Sequence, residues 1–454
     1  MSELLSVGLD VGTTSTQMIV SRLTVENKAS RFTVPEMDIS RREILYKSAV
    51  HFTPLLDESH MDGPALRALV LEEYARAGIT RKKVDTGAII ITGETSRKEN
   101  ARTVLNALSD LAGDFVVAAA GPDLESVLAA KGAGAAAYSA ATGKTLLHMD
   151  IGGGTANLAL IRQGVIEATG CLNVGGRLVK FDSAGRVTYV SPVLRDIWHP
   201  SGPEPSRQEL EALCEILTRA LEAAAGLAVS PFLSRLTTAG TAPLPLTDAG
   251  ERTVISFSGG VADCIREELP WQQFGDLGPL LGRAIRKSKL CAGEYVLGSE
   301  TIRATVIGAG CHSAMLSGST VYLQNVQLPL KNIPAIPVSR QQQDGSLEET
   351  LSRALQNQEG TAIIAMPGML SPGYRQVARL ADGIAAALHG HPALLCLEAD
   401  MAKALGQALA LRLGRDAPIL CLDRVRLGEG SFLDVGFPVG PALPVVVKTL
   451  ILSQ

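Results

Sequence analysis

Apolar and polar positions alternate over residues 3–9 and again over 16–23, which predicts two neighbouring strands. A continuous apolar run from Ala88 to Thr92 predicts a third strand, buried on both faces. Helical spacing covers 64–77 and stops at Gly78; a second helical pattern, 97–111, precedes a strand from Phe115 to Ala119. After Pro122 a helix is expected from near Leu124, through about 140. It carries Gly132, Ala133, Gly134, Ala136 and Ala137, small residues that let another helix come close. Three strands follow at 145–151, 156–162 and 165–169, the last two joined by a Gln163-Gly164 turn.

Farther along, the Pro- and Ser-rich residues 191–206 read as a surface loop. Helix 207–225 opens on a capping box, Ser206 with Glu209. A strand from Thr253 to Phe257 runs into Ser258-Gly259-Gly260, with a helix from Val261. Another strand, Arg303 to Val306, leads to Gly308-Ala309-Gly310-Cys311 and a second small-residue helix through Met315. From about 320 the texture changes: Pro329, Pro334 and Pro337 interrupt the chain, and Gln341 to Ser346 reads as an exposed linker. Strands 361–366, 393–397, 418–422 and 443–452 then alternate with helices 374–388 and 399–413, a small α/β pattern without a recognisable catalytic set.

Two hairpins stand out because they share one phrase. Leu9-Asp10-Val11-Gly12-Thr13-Thr14-Ser15 and Met149-Asp150-Ile151-Gly152-Gly153-Gly154-Thr155 each run from an apolar strand through an Asp and a glycine turn to hydroxyls and a second strand. A polyphosphate held with a divalent cation needs backbone N–H groups bent into a cradle, which Gly12, Gly152, Gly153 and Gly154 permit. It also needs hydroxyls, which Thr13, Thr14 and Thr155 supply, and carboxylates near the metal, which Asp10 and Asp150 supply. Either phrase alone fits an Asp capping a turn. Their recurrence with the same flanking strands points to a two-sided nucleotide clamp. Asp276-Leu277-Gly278 and Asp434-Val435-Gly436 have the same spacing, but Pro279 and Phe437-Pro438 stand where hydroxyls should follow, so both are set aside.

Composition narrows the classes. Hydrophobic residues make up 46% and aromatics 4%, so a large core is packed from small side chains. The formal net charge of −4, with signs interspersed, offers no groove for nucleic acid. No apolar run is long enough to span a membrane, and no signal-like start is visible. The 7 cysteines are dispersed without a Cys-x-x-Cys, as in a reducing compartment, and the expected location is cytoplasmic.

First clamp, small-residue helix, second clamp, strand-Gly-Gly, second small-residue helix: over residues 3–318 this order resembles the ATPase superfamily of actin, heat-shock chaperones and sugar kinases. The resemblance implies an α/β actin-like fold, with two ribonuclease-H-like domains around a nucleotide cleft and a C-terminal α/β region. The implied boundaries are 1–143, 144–325 and 326–454, the last contacting a client or dimerising. It further implies that Ser258, Gly259 and Gly260 hold the adenosine, that helices 124–140 and 308–317 cross at a hinge, and that Glu125 stands near the phosphates.

Over nearly the whole chain the sequence also resembles the ethanolamine ammonia-lyase reactivases. The resemblance is carried by Gly8 to Thr16, Ile91 to Thr95, Ala120 to Ser126, Asp150 to Asn157, Phe257 to Asp263 and Pro444 to Leu450. Such proteins use ATP and Mg²⁺ to release damaged cobalamin from the lyase, so that intact adenosylcobalamin can enter. The resemblance therefore implies a slow Mg-dependent ATPase acting as a chaperone, with the lyase as partner and the ethanolamine microcompartment as an associated body. Asp10 and Asp150 would orient the metal, and Asp150 the attacking water. No Asp-x-His-x-x-Gly motif is present, so direct contact with cobalamin is not supported. The alternative is a small-molecule kinase of the same fold. No lysine can be picked out as the γ-phosphate partner that heat-shock ATPases use.

Overall fold

The computed structural model describes residues 2–12, 15–27, 37–57, 60–91, 100, 104, 108, 122–238, 244, 253–312, 314–317, 320–356, 358, 360–428, 431–438 and 442–449. Thr13, Thr14, Gly93 to Thr95, most of 97–111 and the strand expected from Phe115 to Ala119 lie outside them.

Three sheets organise the described residues. The first contains β1 (Ser2–Val11), β2 (Ser15–Asn27), β3 (Met37–Lys47) and β5 (Thr86–Ile91) in the order β3-β2-β1-β5, with the short β4 (His51–Phe52) on β2. The second begins with β6 (Leu146–Ile151), β7 (Ala156–Arg162) and β8 (Val165–Leu172). After a small hairpin, β9 (Val179–Phe181) and β10 (Val187–Val190), it is completed by β11 (Val254–Ser258) and β12 (Tyr295–Leu297) in the order β12-β11-β6-β7-β8. In both, the first two strands form an antiparallel hairpin and the fourth runs parallel to the first. This repeated third-second-first-fourth order is the actin-like α/β arrangement expected from the sequence.

Alternation along the strands decides what each face of the second sheet meets. Leu147, Met149, Ile151, Ile255 and Phe257 bury one face against helices Arg207–Ala224 and Gly278–Arg286. The first of these helices starts where the sequence placed it, with both capping-box bonds formed between Ser206 and Glu209. The other face is polar toward the clamp, where His148, Asp150, Ser256 and Ser258 are all buried, and apolar beyond it at Leu146, Ala159, Ile161 and Val254.

Against that polar face lies a crossing of two helical segments. One is Pro122–Gly132, which ends before Gly134; that residue takes φ +81 and opens a separate helix, Ala135–Thr142, so the single helix expected there is two. The other is Ala304–Ile307, continued as a wider turn over Gly308–His312. The sequence had suggested a strand at 303–306. A run this short serves either period, and here burial between helix Pro122–Gly132 and β1 makes it helical. A Cβ on Gly132 would stand 1.9 Å from the Ala304 carbonyl oxygen, and one on Gly308 2.0 Å from that of Leu128. The small-residue segments cross backbone against backbone, but the second helix, expected through Met315, ends at His312, and Ala314–Leu316 is a strand.

The third sheet runs β13-β20-β19-β15-β16-β17-β18-β14. Its strands are β13 (Ala314–Leu316), β14 (Tyr322–Gln324), β15 (Leu330–Pro337), β16 (Ile363–Met366), β17 (Ala393–Leu397), β18 (Ile419–Leu422), β19 (Ser431–Val435) and β20 (Pro444–Thr449). β15 was missed because prolines mark breaks. The register shift between Leu330 and Ile333, and the placing of Pro337 at the strand end, let it stay in the ladder. The expected linker is helix Arg340–Asp344, capped by Ser339 and Gln342. No helix among the described residues is long and apolar enough to cross a membrane.

Candidate functional site

The two clamp turns close in the same way. Gly12 N–H donates to the Ser15 carbonyl at 2.9 Å, and Gly152 N–H to the Thr155 carbonyl at 2.9 Å. Asp10 pairs in register with Gln17 and Ile90, Asp150 with Asn157 and Ser258, so the carboxylates occupy equivalent places in equivalent sheets. At the first turn, Thr53 Oγ1 donates to the Gly12 carbonyl at 2.7 Å and lies 3.1 Å from Thr16 Oγ1. That hydroxyl, distant in sequence, had not been foreseen. Asp10 is half-buried.

Asp150 sits deeper, 6% exposed, at the end of a chain of hydrogen bonds. Ser258 Oγ donates to its Oδ1, and Thr305 Oγ1 to its Oδ2 at 3.5 Å. His148 lies between Ser256 Oγ, 2.6 Å from Nδ1, and Ser258 Oγ, 2.9 Å from Nε2. Burial pushes the imidazole down to about 3, so it is neutral and carries one N–H. Because the Ser258 proton points at Asp150, Nε2 must be the donor to Ser258, and Nδ1 accepts from Ser256. The whole chain is thereby oriented toward an ionised Asp150. Burial nonetheless pushes that carboxyl up to about 6, against the two hydroxyls that pull it down. His148, Ser256 and Thr305 were not singled out from the sequence; the period-2 alternation that puts them beside Asp150 was the available signal.

The strand-Gly-Gly element joins the same place. Gly259 has φ +84, and a Cβ there would stand 2.3 Å from the Ile151 carbonyl oxygen, so the turn after β11 is pressed onto the end of the clamp strand. Gly260 opens helix Gly260–Arg266. The Ser258 hydroxyl is engaged inside the sheet by His148 and Asp150.

Around the second turn, Gly154 is exposed, while Gly152, Gly153 and Thr155 are half-buried. Gly176 N–H donates to the Gly152 carbonyl at 3.0 Å and Arg177 N–H to the Gly153 carbonyl at 2.6 Å. Leu277 N–H in turn donates to the Gly176 carbonyl at 2.7 Å. Asp276, set aside on sequence grounds, is thus packed against the clamp. It caps Gly278 N–H at 2.8 Å, the ordinary role of such an Asp, and also lies 3.4 Å from Arg177 Nε.

Glu125, the remaining predicted carboxylate, sits half-buried in the first turn of helix Pro122–Gly132, two residues from Asp123, which accepts from Thr169 at 2.5 Å. Lys131, in the last turn, has its ammonium pushed down by burial and by Arg42. Thr13 and Thr14 lie outside the described residues. Among the described residues no three His, Cys, Asp or Glu side chains gather as a metal site. The donors at the clamps are oxygens, and the buried Gln17 Oε1 and Asn157 Oδ1, each opposite a clamp Asp, have no hydrogen-bond partner among the described residues.

One segment ties the halves together. Gln17 Nε2 donates to the Ile302 carbonyl at 3.2 Å, Arg303 to the Ser48 carbonyl at 3.1 Å, and Ser6 Oγ to the Gly310 carbonyl at 2.5 Å. Lys47 pairs with Glu300. Thr305 on the same segment reaches Asp150. The peptide that braces the first clamp strand therefore also touches the carboxylate of the second.

The family model of the ethanolamine utilisation protein EutA matches residues 2–453. The chain is 40% identical over 465 aligned positions to the ethanolamine ammonia-lyase reactivase EutA of Escherichia coli (strain K12), covering 99% of this chain and 98% of that one. It is 40% identical over 477 positions to the protein of the same name from Salmonella typhimurium, again covering 99% and 98%. Among solved structures it is similar to the type II Ppx/GppA phosphatase structure from Aquifex aeolicus, with 10% identity, a TM-score of 0.40, and 68% of this chain and 99% of that one covered. On the match that runs from residue 2 to residue 453, the chain belongs to the ethanolamine utilisation protein EutA family.

Proposed function

We propose that this protein is an ATP-dependent reactivase of ethanolamine ammonia-lyase, releasing damaged cobalamin so that intact adenosylcobalamin can bind. The full-length likeness to two relatives named for that activity supports the reading. The observation that carries its ATP part is the pair of glycine turns, each closed by the same backbone bond at the same register of equivalent sheets. Neither relative is named as a kinase, so the kinase alternative finds no support.

In this reading Gly12, Thr13 and Thr14 face one side of the phosphates, Gly152, Gly153, Gly154 and Thr155 the other, and Gly259 and Gly260 approach the adenosine with backbone. Oxygen donors suit Mg²⁺, a hard cation that keeps most of its waters and needs acceptors for them. Asp10, Asp150 and the partnerless amide oxygens of Gln17 and Asn157 are such acceptors. Bound there, the metal would neutralise phosphate charge. Asp150 is the residue we assign to water positioning, held by Ser258 and Thr305; Glu125 is assigned a supporting place near the phosphates. The units 1–143, 144–325 and 326–454, and a client-binding or dimerising role for the last, belong to the same proposal.

The test is recovery of cyanocobalamin-blocked ethanolamine ammonia-lyase on adding this protein, Mg²⁺, ATP and fresh adenosylcobalamin. Wild type should restore deamination and Asp150→Ala, at matching circular dichroism, should not. ATP hydrolysis by wild type without any recovery of the lyase would refute the client; recovery by Asp150→Ala equal to wild type would refute the residue.

A further inference from the structure

We infer that Arg177 is the cation that reads the outermost phosphate of a nucleoside triphosphate at the second clamp, with Asp276 as the residue that positions it. The inference rests on the nucleotide reading proposed above. Three observations converge. A Cβ on Gly153 would meet Arg177 Cδ at 3.2 Å and its Cβ and Cγ at 3.4 Å, so the arginine stem lies across the middle glycine of the turn. Its own N–H is bonded to the Gly153 carbonyl, so the side chain is registered to the clamp by the clamp's backbone. Its Nε lies 3.4 Å from Asp276 Oδ2, and that carboxylate is anchored from behind by Gly278 N–H.

The pair is lopsided: the Asp276 side chain is 8% exposed and that of Arg177 36%. One end is therefore fixed in protein and the other faces outward. A charge-assisted N–H···O bond is ordinarily about 2.7–2.9 Å long, so the 3.4 Å contact with Asp276 is a steering one. A planar fork of five N–H groups can keep that carboxylate on one edge and offer another to phosphate oxygens.

Charge bookkeeping at the clamps gives the arrangement its point. Asp10 and Asp150 bring negative charge, and the glycine N–H groups bring dipoles but no net charge. A triphosphate adds more negative charge than a diphosphate, concentrated at its far end. Arg177 is, among the described residues, a guanidinium lying on the glycine turn itself, which makes it a group able to tell the two apart.

The experiment is calorimetric titration of the full chain with ADP and with a non-hydrolysable ATP analogue in Mg²⁺, for wild type, Arg177→Ala, Arg177→Lys and Asp276→Asn. A charge-assisted contact corresponds to about 10- to 100-fold in affinity. Arg177→Ala should lose that much for the triphosphate and under about threefold for ADP. Arg177→Lys should recover part of it, which a fold defect would not allow. Asp276→Asn keeps the cap on Gly278 and should lose a smaller factor, again selectively for the triphosphate. Equal losses for both ligands, or an unchanged triphosphate affinity in Arg177→Ala, would overturn the inference while leaving the nucleotide site standing. Wild type that binds neither ligand would overturn both.

Discussion

A carboxylate that is 6% exposed, with two hydroxyls for company, is held in a form its surroundings disfavour. Burial raises the Asp150 pKa from 3.8 to about 6, so the folded chain binds this proton more tightly than the unfolded one. Stability therefore falls as pH rises from about 4 to about 6 and is level above that, by on the order of 3 kcal/mol at most. Asp150→Asn removes the titration. In chelator and without nucleotide, it should melt above wild type at pH 7.5 and lose that advantage near pH 4. Calorimetric scans at the two pH values check it; an advantage that does not shrink in acid would mean the carboxylate is not the source. The same substitution should abolish ATP turnover, a trade of stability for reactivity common at functional sites.

At the scale of elements, the crossing of Pro122–Gly132 with Ala304–His312 is the tightest glycine contact among the described residues. Gly132→Ala would place its methyl carbon 1.9 Å from a backbone oxygen, which no rotamer change can relieve. A loss of roughly 1–3 kcal/mol or more is expected from such overpacking. Gly202→Ala, where a Cβ meets nothing within 4 Å, should stay within about 0.5 kcal/mol. Urea midpoints of the two variants would decide it; equal midpoints would mean the helices part freely.

The sequence made this surface legible because close approach needs small residues, whatever lies opposite. It made the paired turns legible for a like reason, since glycine and hydroxyl chemistry is local. The helix at Ala304–Ile307 was not legible, because a run of four residues has no period of its own. Nor was Arg177, whose part depends on β8 and the turn after it folding back over Gly153. Asp276, set aside because Pro279 stands where hydroxyls should follow, does cap a helix start as such an Asp ordinarily does; its packing against the clamp was not legible because it depends on that fold-back.

For the molecule as a whole, the brace at 300–310 predicts that the two halves respond to a ligand together. Nucleotide gripped from both sheets stabilises both; at 100 times its dissociation constant the gain is about 2.7 kcal/mol. Mg²⁺ with ATP should therefore shift the unfolding of residues 2–91 and of 146–297 as one. Hydrogen exchange with peptide resolution would show protection rising on β1 and β6 alike. Protection confined to one of them would contradict a two-sided grip.

The seam where Gly132 meets Ala304 and Gly308 meets Leu128 also has a mechanical meaning. Side chains that interlock act as gear teeth, and turning one element past another then means lifting each tooth through a rotamer barrier. Where backbone meets backbone at these glycines there are no such teeth: a rotation about this seam would meet little friction there, and the seam has almost no clearance for added bulk.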